Sequence, residues 1–134
     1  MNRILATTIL TLGALAATPS RGQAQQGSMA MGAMPHGTSK TITGTVIDVS
    51  CKFGQGLAGK EHKMCSEICA DKGLPLAVLG DDGTLYLATS PGMPGDGQNP
   101  KLKPYAEQKI TVSGKVFAAA GASAIQIEKI VAAK

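Results

Sequence analysis

The sequence predicts a mainly β fold: a five-stranded barrel with a short Cys-bearing helical insert after the first strand. Three observations predict it. Runs rich in β-branched or alternating apolar residues recur at Thr41–Val49, Leu76–Leu79, Thr84–Ala88, Lys109–Phe117 and Ala124–Val131. Gly- and Asp-rich turns punctuate these runs. One stretch with helix start and stop signals, Glu61–Lys72, interrupts them between the first and the second.

The chain opens on Arg3, an apolar run from Ile4 to Ala17, and then Thr18, Pro19 and Ser20. Gly22-Gln23-Ala24 follows, with small residues at the two positions signal peptidase inspects. That order predicts a cleavable secretory signal over 1–24. The apolar run is shorter than the ~20 residues a permanent membrane helix needs. No cysteine follows it directly, which argues against a lipoprotein anchor. The expected location of the mature chain is therefore periplasmic or secreted, with no membrane anchor after cleavage.

Residues 25–39, QQGSMAMGAMPHGTS, are Gly, Ser and Met without periodicity and predict a flexible linker. The folded domain is expected over 40–134. Thr41–Val49 reads as its first strand, with Gly44 marking a bend or bulge. Lys52–Lys60 holds three glycines and reads as loop. Glu61–Lys72 reads as one helix, acidic in its first turn and stopped by Gly73 and Pro75. Asp81-Asp82-Gly83 is a hairpin signal between the next two strands. Ser90–Pro104 is a Gly/Pro-rich excursion, with a turn of helix expected near Leu102–Glu107. The last two strands put Ile110, Val112 and Val116, then Ile125, Ile127 and Ile130, on the core face.

Charge excludes one class of function. The full chain carries +4, but Arg3 and Arg21 leave with the signal. The mature chain then has 11 basic residues against 9 acidic ones, without a basic cluster. The four aromatics, Phe53, Tyr86, Tyr105 and Phe117, are scattered. A nucleic-acid partner is not expected.

A long strand, a helical insert, a hairpin, a short helix and two closing strands fit an OB-type barrel. The motifs are Gly44-Thr45-Val46…Asp48…Cys51, His62-x2-Cys65-x3-Cys69, Gly73-x-Pro75, Gly83-x-Leu85-Tyr86 and Val112-x-Gly114. They resemble a group of small exported bacterial OB-like proteins over nearly all of Lys40–Lys134. The resemblance implies fold and export, not an activity.

Chemistry concentrates in the cysteines. Three in an exported chain is an odd number. On a helix, Cys65 and Cys69 stack on one face, with Met64 and Ile68 completing the expected buried stripe and His62 at its edge. Their Cβ atoms would lie about 6 Å apart, whereas a disulfide needs about 3.8 Å. Two thiolates at that spacing can share a metal, because each metal–sulfur bond adds ~2.3 Å of reach. One metal touching both His62 and Cys69 requires the helix to start after His62. Cys51, Cys65 and Cys69 are thus the candidate ligands, with His62 as a fourth. The competing expectation is a Cys51–Cys65 or Cys51–Cys69 disulfide worth about 3 kcal/mol, which oxidising surroundings favour.

Met29, Met31, Met34 and His36 place thioethers and an imidazole in the linker. Thioethers select Cu(I), and the stretch is similar to the Met-rich copper motifs of periplasmic copper carriers. These four are weaker candidate ligands. Met93 is read as a loop residue packed on the barrel, or a further ligand. No nucleophile elbow or phosphate loop is present, and the acids, Asp48 included, read as solvated or turn residues. Nothing argues for an enzyme.

The leading expectation is an exported domain that binds a thiophilic metal, copper or otherwise zinc, with another exported metal-handling protein as partner. The alternatives are a metal-free, disulfide-stabilised binding or adaptor module and a thiol redox protein.

Overall fold

Barrel closure begins with β1 (Thr38–Asp48), which pairs with two different strands along its length. The computed structural model describes residues 36–133. The expected signal at 1–24 and Met29, Met31 and Met34 lie outside the described residues. The first half of β1, from Thr38, pairs antiparallel with β4 (Lys109–Ala119), and its last residues, Gly44–Asp48, pair with β2 (Leu76–Gly80). Gly44 belongs to both registers, opposite Gly80 and Ile110. A Cβ there would lie 2.4 Å from the Leu79 carbonyl oxygen, so the close approach requires glycine.

The remaining order is β3 (Leu85–Ala88), α3 (Asn99–Leu102), a 3-10 turn at Lys103–Tyr105, β4, and β5 (Ala122–Ala132). The sheet closes as β1-β2-β3-β5-β4, with β3 and β5 parallel and the other neighbours antiparallel. A five-stranded barrel with a short helix between β3 and β4 is the expected OB-like arrangement. β1 starts at Thr38 rather than Thr41, because Thr38 and Ser39 still find partners in Val116 and Lys115. Alternation along the strands sends Ile42, Val46, Val78, Tyr86, Ile110, Val112, Val116 and Ile125 inward. Ile127 and Ile130 are only half-buried against this core. The hairpin turn forms as expected, with Gly83 at positive φ and the Gly80 N–H donating to Thr84 O.

The helical insert sits between β1 and β2. It consists of α1 (Val49–Gln55), a 3-10 turn (Lys60–His62) and α2 (Lys63–Asp71). The expected loop at Lys52–Lys60 is half helix, since α1 runs through Gly54 to Gln55. Asp48 caps it by accepting from the Cys51 N–H at 3.0 Å, and Gly56 closes it in the left-handed conformation. α2 ends as its sequence predicts: Gly73 N–H donates to Ala70 O and Leu74 N–H to Cys69 O, a Schellman arrangement. No helix among the described residues is long and apolar enough to cross a membrane.

Candidate metal centre

The end of β1 and the two insert helices converge on the cysteines. Cys51 sits in the first turn of α1, placed there by the Asp48 cap. Cys65 and Cys69 lie one turn apart on α2. The Cys51, Cys65 and Cys69 sulfurs lie within 4.8 Å of one another. An ion ~2.3 Å from each sulfur would hold its thiolates about 3.8–4 Å apart, so this spacing suits a shared ion. Cys51 is buried, Cys69 half-buried and Cys65 exposed, which leaves the cluster open on one side.

His62 joins from the barrel side. The expected single helix over Glu61–Lys72 is broken there: Lys60–His62 is a 3-10 turn and α2 starts at Lys63. That is the condition under which His62 can approach the cysteines. A second triad, Asp48, Cys51 and His62, also has its ligand atoms within 4.8 Å of one another. His62, Cys51, Cys65 and Cys69 thus form one cluster that can serve as a metal site, with Cys51 common to both triads.

Two expectations about the insert are corrected. The buried face of α2 is not Met64, Ile68, Cys65 and Cys69. Met64 is 73% exposed and Ile68 49%. The face turned to the barrel is His62, Ser66 and Ala70, spaced four residues apart. Small side chains let the helix approach the barrel end, and the larger apolar ones are left in solvent. Asp48 is not a solvated turn residue either: it is 1% exposed. Its signal was the capping position three residues ahead of Cys51, hidden because Gly54 and Gly56 disguised the helix.

All three cysteines are free, and no pair stands at disulfide distance. Cys65 and Cys69 are separated by an unbroken helical turn, and Cys51 is bonded to neither of them. The expected disulfide is therefore absent from this structure. Met93 is 97% exposed and so does not pack on the barrel, while His36 is exposed just ahead of β1, at the opposite end of that strand from Asp48.

Electrostatics at the cluster are set by Asp48. Burial pushes its carboxyl up, but donation from the Cys51 N–H, the Cys69 and Cys51 thiols and the Ser50 N–H outweighs burial and leaves it below the usual range. In turn the Cys69 thiol is pushed up to about 12, first by its hydrogen bond to Asp48, then by burial and the Asp48 charge. The Cys51 thiol is also raised, by burial first and then by Asp48. An ionised redox thiol needs the opposite shift.

The unpartnered atoms test whether a metal fits. Beyond the neighbouring thiols, Asp48 Oδ2 and both His62 nitrogens are buried without a hydrogen-bond partner among the described residues. Each such group costs roughly 1–3 kcal/mol if left unmade. Asp48 also forms no ion pair among the described residues. Carboxylate, imidazole and thiolate are all ligands of zinc, and thiolate also suits Cu(I). The donor set fits a thiophilic cation.

Glu107 also escaped the sequence reading. It is buried, adopts φ 57°, and accepts from the Gly59 N–H at 2.8 Å. Gly59 O in turn accepts from the His62 N–H at 2.9 Å. Glu107 therefore fixes the loop that delivers His62. Comparison of the chain with protein-family models, with curated proteins and with solved structures finds no match.

Proposed function

We propose that this protein is an exported binder of a thiophilic transition metal, copper in the first place and zinc otherwise. Cys51, Cys65 and Cys69 supply thiolates at the open side, and His62 supports the site from beneath. The observation that carries the reading is the convergence of three free sulfurs beside a buried histidine whose nitrogens have no hydrogen-bond partner among the described residues.

Exposure of Cys65 supports exchange of the ion over permanent burial. Another exported metal-handling protein is the proposed partner in that exchange. The Met29, Met31, Met34 and His36 stretch supports copper, since thioethers retain Cu(I) where harder ligands do not. The leader-like residues 1–24 support a periplasmic or secreted setting.

Anaerobic purification followed by metal analysis tests the reading. Replacing Cys65→Ser should lower retained metal about tenfold or more, at least the loss that removing an outer partner causes. An unchanged metal content would overturn it.

A further inference from the structure

One ion on the three sulfurs leaves part of the cluster unexplained. Asp48 and His62 are 1% and 7% exposed, and among the described residues both His62 nitrogens have no hydrogen-bond partner and Asp48 Oδ2 none beyond the neighbouring thiols. These two residues form a triad with Cys51, and the Cys69 thiol also donates to Asp48. They come from the end of β1 and the 3-10 turn, on the buried side of the thiols.

Charge points the same way. The Asp48 carboxylate is 1% exposed and forms no ion pair among the described residues, and a buried charge is retained where it is paired or bound to a cation.

We propose that Asp48, Cys51 and His62 form a second cation seat beneath the thiolate one, with the Cys51 sulfur bridging the two ions. The inner seat, with one oxygen, one nitrogen and one sulfur donor, takes a borderline dication such as Zn2+. The outer seat, all sulfur, takes the softer or more readily exchanged ion. The inference rests on the reading of Cys51, Cys65 and Cys69 as metal ligands, and adds to it a distinct site, a ligand in Asp48 and a stoichiometry.

The test is native mass spectrometry of the reduced, metal-free protein titrated with Zn2+. Wild type should saturate at two zinc ions per chain. Asp48→Asn with His62→Gln should fall to one, as should Cys65→Ser with Cys69→Ser. Asparagine keeps the helix cap, and His62→Gln alone provides a milder variant in which the Asp48 side chain is untouched. Far-UV circular dichroism of each metal-free variant reports whether it is folded. Wild type saturating at one zinc, or the Asp48→Asn/His62→Gln variant still holding two, overturns the inner seat while leaving the thiolate reading intact. A wild-type protein that holds neither zinc nor copper overturns both.

Discussion

The barrel wall and the helical insert follow opposite rules. In the wall, Val46, Val78, Ile110, Val112 and Ile125 are fully enclosed, and the strands satisfy one another around a closed ring. In the insert and its junction with β1, the large apolar side chains Phe53, Met64 and Ile68 face solvent. Polar atoms of His62 and Ser66 are buried there without hydrogen-bond partners among the described residues, beside the buried Asp48 carboxylate. A chain selected only for stability would reverse that distribution. Sites that break local rules mark where function constrains the sequence.

Variants can break or sharpen this contrast, the largest effect first. Cys51→Ser removes the sulfur common to both triads. It should weaken metal binding by more than about 100-fold, beyond the range of an outer-partner mutation. The melting temperature of the metal-free protein should change little. Competition against a chelator of known affinity measures the first, and calorimetry the second. Ile110→Ala should do the reverse. It opens a cavity at a residue that is 0% exposed, costing about 2–5 kcal/mol by denaturant unfolding. The metal bound per folded chain should be unaltered.

Intermediate effects belong to residues that connect the regions. Glu107→Gln replaces the carboxylate that accepts from Gly59 N–H. A loss of about 1 kcal/mol is expected, the difference between a hydrogen bond to a charged acceptor and one to a neutral acceptor. The same variant should loosen His62, read as faster backbone amide exchange at His62 by NMR.

The pH response has a defined sign. Cys69 has an ordinary pKa of 9.0, raised to about 12 in the fold. The fold therefore favours the protonated thiol. That contribution is full below pH 9 and is lost as pH rises toward 12. The metal-free protein should lose stability over this interval, and Cys69→Ser should flatten the loss in a plot of melting temperature against pH. Because Cys51 and Cys69 are both raised, metal uptake should release protons and tighten with rising pH below that range. Smallest of all, Met64→Ser at a 73% exposed position should stay within about 0.5 kcal/mol of wild type. A larger loss of stability would show that the exposed apolar side of α2 is packed in solution.

The same division explains what was legible in the sequence. The strands were readable because a barrel wall imposes period-two burial, as at Ile110, Val112 and Val116. Asp81-Asp82-Gly83 and Gly73 were readable because their turns require those residue types. The cysteines and His62 stood out by chemistry alone. The orientation of α2 did not, because its apolar residues Met64 and Ile68 point away from the barrel and Ser66 and Ala70 toward it. Hydrophobic periodicity assigns the wrong face wherever a helix seats itself on small residues. Asp48 was missed because an aspartate ending a strand looks like any turn residue; only the hidden α1 makes it a buried cap. Glu107 gave no signal, since its partner Gly59 is distant in sequence.

The central claim is that the insert is a metal site and the barrel its support. Metal and free thiols measured together on one anaerobically purified sample test it most directly. The account predicts at least one copper or zinc per chain, and three titratable thiols once the metal is removed. No metal, with a single titratable thiol, would contradict it and make the protein a disulfide-stapled barrel.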